Sequence, residues 1–221
     1  SVFCTLRKVD TDPKKQKELL LKELRAELPV FPTIKLHNKG KYAYEINIPD
    51  VHFGKMSWGE ESGEDYDLKI AEKRYTDAIA ELLSYVDLSQ VEKIIFPIGN
   101  DMINIDSRKN ETFAGTKQDS DSRFFKIVRI VKEILIKSIN SLSLIAPVDV
   151  VVISGNHDPE SMFMIGEILD AYYTTNKNVS VDNSPKQRKY YQYGLNGFQY
   201  THGNEENHKD LGLIFATEQK K

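Results

Sequence analysis

The first periodic stretch of the chain runs from Lys14 to Leu28, where Leu19, Leu20, Leu21, Leu24 and Leu28 form a rough apolar stripe among Lys and Glu. Pro29 and Pro32 stop that helical pattern, and the Lys-rich segment to Lys41 reads as linker. Residues 1–41 are therefore expected to form a helical extension, and residues 42–221 the main domain. From Tyr42 the period changes to two, with Tyr44, Ile46 and Ile48 alternating up to Pro49-Asp50, which predicts a strand. Leu68 to Val86 returns to helical spacing through Leu68, Ala71, Tyr75, Ala78, Ile79, Leu82, Leu83 and Val86. Ile94 to Ile98 and Val148 to Ile153 are almost wholly apolar, as strands covered on both faces of a parallel sheet should be, although Pro97 weakens the far end of the first.

Two further helices are expected. One covers Ser122 to Leu142, with Phe124, Ile127, Val128, Val131, Ile134, Leu135 and Ile139 inward; the other covers Ser161 to Tyr173, with Met162, Ile165, Ile168, Leu169 and Tyr172 inward. Short strands at Val179 to Val181, Lys189 to Tyr193 and Phe198 to Thr201 follow, the last two joined by a Gly-Leu-Asn-Gly turn. This alternation predicts a layered α/β domain, with a central sheet flanked by helices.

Composition narrows the partners. Lys and Arg number 30 against 33 Asp and Glu, so the net charge of −3 supplies no global field toward nucleic acid or anionic lipid, and only a local basic groove is compatible with it. Cys4 is the only cysteine, which excludes an internal disulfide and a multi-cysteine zinc cluster and points to a reducing compartment. No apolar run approaches the ~20 residues of a membrane span, and Ser1-Val2-Phe3-Cys4 lacks the layout of a signal peptide. A cytoplasmic protein that does not enter a membrane is expected. The missing initial Met and the stop soon after an apolar run make both ends look like cuts in a longer polypeptide.

The chemistry lies at the strand ends. Asp50 and His52 follow the first predicted strand, Asp101 and Asn104 the second, Asn156, His157 and Asp158 the third, and His202 the last. Ligands in open α/β sheets gather outside the carboxyl ends of the strands, so these distant clusters can form one site. Carboxylate, amide and imidazole donors together suit Mn²⁺, Fe or Zn²⁺, and a shared carboxylate can bridge two ions.

These residues resemble a known family. Ile48-Pro49-Asp50-Val51-His52 is similar to the opening DxH motif of calcineurin-like metallophosphoesterases, and Gly155-Asn156-His157-Asp158 matches their GNH[DE] motif. Gly99-Asn100-Asp101-Met102-Ile103-Asn104 resembles GDxx[DN] with Asn100 inserted after the glycine, and Thr201-His202-Gly203 looks like the later single-histidine motif. The four occur in the family's order between Tyr42 and Gly203.

The resemblance implies a calcineurin-like layered fold and a site for two divalent ions, Mn²⁺ foremost, with Zn²⁺, Fe or Mg²⁺ as alternatives. Asp50 and His52 would hold the first ion, Asp101 would bridge, and Asn156 with His202 would hold the second. His157 would serve the departing oxygen and Asp158 would orient it. A bridging hydroxide would attack phosphorus in a phosphate ester, with DNA or RNA phosphodiesters the favoured substrates. Phage-type relatives of the DNA exonuclease kind share the long first loop and the N-terminal extension. The family's closing GHxH motif is missing, which the apparent cut would explain.

Rival readings stay open: a phosphomonoesterase or protein phosphatase, or a metallophosphoesterase-like scaffold without catalysis. Taken singly, Asp50 and His52 could belong to an Asx turn, Asp158 or Ser161 could cap a helix, and His202 could be a buried strand histidine. Asn104 could support the site or merely form a turn. The loop Thr112 to Asp119 could line a substrate cleft or simply be solvated. Arg123 and Arg129 could face phosphate but read rather as helix surface, His37 and His208 read as surface, and Trp58, with Phe53 nearby, could stack a base but reads rather as packed beneath a long loop.

Overall fold

A computed structural model of the chain describes residues Gly40 to Gln219, all within one compact unit. The expected helix at Lys14 to Leu28 and His37 lie outside the described residues. Four parallel strands, β1 (Tyr42–Glu45), β2 (Val91–Gly99), β3 (Val148–Ile153) and β4 (Val179–Asp182), form a sheet in the order β1-β2-β3-β4. Helices α1 (Leu68–Ser84), α2 (Phe124–Ser143) and α3 (Pro159–Tyr173) lie in the three connections. Crossovers of the right hand that parallel strands favour, advancing in the one direction β1-β2-β3-β4, put all three helices on one face. Their buried stripes are Leu68, Ala71, Tyr75 and Ile79 in α1, Ile127, Val131, Leu135 and Ile139 in α2, and Met162, Ile165, Leu169 and Tyr173 in α3.

The stripe on α3 corrects the expected one. Spacings of three, four and four bring Tyr173 inward, where its hydroxyl bonds Ile136 O and Asn140 Oδ1, and Ile168 points outward. The other face of the sheet is covered by an antiparallel hairpin, β5 (Lys189–Tyr193) and β6 (Asn196–Tyr200). Ile95, Val151 and Ile153 pack there against Tyr200, Tyr191 and Phe198. Strand side chains alternate, so Ile94, Phe96, Ile98, Val150 and Val152 serve the helical face, and this double coverage explains the apolar runs. The hairpin turn is Gly194-Leu195, tighter than the expected four residues; Gly194 at φ +58 supplies the positive φ that a two-residue turn needs.

Pro97 sits inside β2, between two strands, without disrupting the sheet. Ile95 O receives Ile46 N–H, so the odd positions of β2 face β1, and β1 has ended before Pro97. Its missing N–H therefore leaves no bond unmade. A last helix, α4 (Leu211–Glu218), is tied to the hairpin by Arg188, which bonds Glu206 at 3.0 Å and Glu218 at 2.7 Å. No helix among the described residues is long and apolar enough to cross a membrane.

Candidate metal centre

Beyond the ends of β1 and β2 the two chains stay zipped. Asp50 N–H bonds Asn100 O at 2.9 Å, His52 N–H bonds Asp101 O at 3.0 Å, and Phe53 N–H bonds Met102 O at 2.7 Å. Holding the segments in this register requires unusual backbone. Five non-glycine residues among those described have positive φ, and four of them, Asp50, His52, Asn100 and Asp101 at φ +52 to +61, are in this cluster. A left-handed residue costs up to about 1–2 kcal/mol, least for Asn and Asp, so the bonds and packing around these four must over-determine the shape. Such concentrated strain is characteristic of functional sites.

Two glycines permit the close approach. A Cβ on Gly99 would stand 2.1 Å from Ile153 O, and one on Gly155 would stand 2.0 Å from Asp101 Oδ1. The β3 end thus presses directly on the β2 end. Asp101, 3% exposed, sits at the middle, and its Oδ1 receives His157 N–H at 2.8 Å. Its Oδ2 faces His202 Nε2 at 3.5 Å and His157 Nε2 at 4.0 Å.

Ligand-type atoms gather around this carboxylate in two groups, His52 with Asp101 and His157, and Asp50 with Asp101 and His202, each within 4.8 Å. Asp101 is common to both. Asn156 Oδ1 joins the second group through His202 Nε2 at 2.5 Å. The structure therefore brings together Asp50, His52, Asp101, Asn156, His157 and His202. Asp50 Oδ1 and His52 Nε2 lie 3.9 Å apart, as the pairing that the resemblance implies would have them, and the ligand-type atoms also group Asp50 with His202 and His52 with His157. The Asp50 side chain is 60% exposed and forms the outer rim.

The imidazoles are oriented. His157 Nδ1 lies 2.9 Å from Asn104 O, a carbonyl that accepts only from an N–H, so Nε2 carries the lone pair toward the site when the ring is neutral. The rings of His52 and His157 meet edge to face with centroids 4.6 Å apart. Burial, then the neighbouring His157, lowers the pKa of His52 and favours the neutral form that binds metals. Its Nδ1 is buried without a hydrogen-bond partner, an orphan polar atom inside a ligand cluster. His202 Nδ1 bonds Asn100 Oδ1.

Asp158 is fully buried and does not cap α3. Its Oδ2 receives Ile103 N–H at 2.6 Å, which locks the GNHD turn to the loop after β2. Burial first, with the charges of Asp101 and Asp106 adding to it, holds this carboxyl well above the ordinary carboxylate range. The cap on α3 comes instead from Asp106, which accepts Glu160 N–H at 3.0 Å and Ser161 N–H at 2.8 Å. Asn104 is 2% exposed and works through its backbone, receiving His157 Nδ1–H and donating its own N–H to Phe53 O at 3.1 Å.

Two clefts open on the centre. One of about 300 Å³ is lined by Asn156 and His202 together with Phe113, Ala114, Thr201 and Glu206; the other, of about 320 Å³, is lined by Asp50 and His52 with Lys55, Ser57, Glu64 and Tyr66. The loop Thr112 to Asp119 thus reaches a cleft wall through Phe113 and Ala114. Trp58 is corrected: at 56% exposure it is not packed beneath a loop, whereas Phe53 is fully buried against Tyr75. Arg123, Arg129 and His208 are exposed.

Sequence reasoning missed Asn100, Asp106 and Lys55. The first was visible only as an insertion; single polar residues in loops carry no periodic signal. Comparison of the chain with protein-family models, with curated proteins and with solved structures gives no match.

Proposed function

We propose that the chain is a metal-dependent phosphoesterase of the calcineurin-like kind, acting on phosphodiesters such as those of DNA or RNA. The observation that carries this reading is the pair of ligand groups sharing Asp101. One buried carboxylate common to two clusters of imidazole and oxygen donors is what a two-ion centre requires. The orphan Nδ1 of His52 and the absence of room for a Cβ at Gly155 fit a site built around such a group. Asp50, His52, Asp101, Asn156 and His202 would hold the ions. The donor set suits Mn²⁺ first, then Zn²⁺, Fe or Mg²⁺. When bound, such ions supply positive charge against phosphoryl oxygens and activate water.

The chain's own residues supply the rest. Asn104 O fixes the His157 tautomer, so a protonated His157 carries a proton at Nε2 that it can deliver to a departing oxygen. Asp158 fixes the turn that carries His157. Clefts on both sides of the centre favour a phosphate with two organic arms over a monoester, whose phosphate has only one.

The test is Mn²⁺-dependent hydrolysis of bis-p-nitrophenyl phosphate by the full-length protein, with calorimetric counting of bound ions. Activity that disappears in Asp101→Ala together with both ions supports the reading. Full binding of two ions by Asp101→Ala would refute the shared-carboxylate geometry, and inertness with every metal would favour a non-catalytic scaffold.

A further inference from the structure

The cleft beside Asn156 and His202 holds an aromatic ring that the fold does not use. Phe113 is 62% exposed, although taking such an apolar side chain out of water is favourable and phenyl rings are ordinarily buried. It is not there because its loop is loose. Glu111 pairs with Lys117 across a small bridge, reinforced by an ion pair of 2.8 Å. Thr112 N–H bonds Thr116 O at 2.9 Å, Thr116 N–H bonds Thr112 Oγ1 at 3.2 Å, and Gly115 makes the turn at φ +87. Phe113 itself donates its N–H to His157 O at 3.1 Å, so its backbone is fastened to the GNHD turn. The result is an exposed ring on a fastened backbone, lining a cleft that ends at two candidate ligand residues.

The remaining walls limit what the ring can meet. Gln187, Asn204, Glu205 and Glu206 line the cleft, and neither Lys nor Arg does. Gln187 bonds Glu205 at 3.0 Å, and Glu206 is held by Arg188 at 3.0 Å and by Thr201 at 2.8 Å. Arg188 offsets the charge of Glu206, while Glu205 is bonded by the neutral Gln187, and with no Lys or Arg among the lining residues this wall disfavours a second phosphate and accepts a neutral group with N–H donors. A volume of about 300 Å³ suits one ring system with its sugar.

We propose that Phe113 is a stacking platform that makes this cleft select phosphate esters carrying a flat, uncharged ring, such as a nucleobase, on the arm beside Asn156 and His202. The inference rests on the phosphoesterase reading and adds the specificity of one arm. An aromatic platform contributes to each stacked base by a π-face contact that tolerates any base.

The experiment is calorimetric titration of the Mn²⁺-loaded full chain with adenosine 5′-monophosphate, ribose 5-phosphate and inorganic phosphate. The nucleotide should bind about 5–100-fold more tightly than the sugar phosphate, a range set by known stacking contributions. Phe113→Ala should reduce that ratio to about twofold or less, and Phe113→Trp should keep it, while phosphate binds all three proteins alike. If the sugar phosphate binds but the base adds nothing, or if the preference survives Phe113→Ala, the platform is wrong and the metal-site reading stands. If none of the three ligands binds, both readings fall.

Discussion

Gly155→Ala tests whether the centre depends on close approach rather than on its ligands alone. The new Cβ would stand 2.0 Å from Asp101 Oδ1, 2.4 Å from Asp101 N and 2.8 Å from Asp158 Oδ1, where ordinary contact begins at 3.4 Å. The segment cannot easily yield, since Asp101 is held at φ +61 and its carbonyl receives His52 N–H. Forced repacking of this kind costs about 1–3 kcal/mol. Displacing Oδ1 also breaks its bond from His157 N–H, worth about 1.5–3 kcal/mol for a charged acceptor. A total near 4 kcal/mol should lower the Tm by about 10 °C in a domain of this size. Mn²⁺ affinity should fall at least about tenfold, because the displaced residue is the shared carboxylate. Gly212→Ala is the control: it lies in α4 with open space around its Cβ, and should be neutral or stabilising by up to ~1 kcal/mol. Thermal unfolding and calorimetry of both variants decide the matter. A Gly155→Ala protein within about 2 °C of the parent, with unchanged Mn²⁺ affinity, would show that the β3 end does not press on Asp101 as described.

Two further outcomes are expected. His157→Asn in the metal-loaded protein should retain both ions and lose about 10²–10⁴-fold in turnover, with a smaller loss for p-nitrophenolate esters, whose leaving group needs no proton; loss of one ion in calorimetry would make His157 a ligand, as its grouping with His52 and Asp101 allows. On β3, burial raises the pKa of Asp149, but bonds from Ser180, Tyr191 and Lys93 outweigh it and hold the carboxyl below its ordinary value of 3.8. Its contribution to stability is therefore present above about pH 4 and lost as pH falls through the lowered folded value, so Asp149→Asn should be less stable at neutral pH and flatter in its acid limb; an unchanged acid limb in Tm against pH would refute the assignment.

The elements were legible in the sequence because their burial is regular. β3 is doubly covered and reads as an apolar run, whereas α1 and α2 are half-covered and read as stripes. The boundaries moved where local chemistry overrode the pattern. β2 begins at Val91 rather than Ile94, since Val91 pairs with Tyr42 across a register shift. Alternation through Ile46 and Ile48 suggested a longer β1, but β1 stops at Glu45 and the chain continues into the left-handed turns of Asp50 and His52. Periodicity cannot report φ, so the strained backbone was invisible. The hairpin's place over the sheet was equally hidden, because it depends on contacts between Tyr200 and residues more than forty positions earlier.

Asn100 shows why the ligand-type residues were easier to read than the shell that holds them. Its place as an insertion looked like damage to a motif. In the fold it joins three strand ends: its N–H bonds Ile153 O at 2.9 Å, its carbonyl receives Asp50 N–H at 2.9 Å, and its side chain holds His202 Nδ1. The preceding Gly99 and the following Asp101 also have positive φ, so three consecutive residues take the left-handed side of the backbone map while the segment stays bonded to residues 50–53. Asn and Asp tolerate that conformation better than other side chains, because they bond locally in it. Asn100 therefore does two things at once. It ties the residue before Asp101 to both the β1 and β3 ends, and it gives an amide oxygen to the imidazole that arrives from β6. A residue that positions a ligand in this way has no spacing rule to betray it, since its partners Asp50, Ile153 and His202 are scattered along the chain on both sides of it.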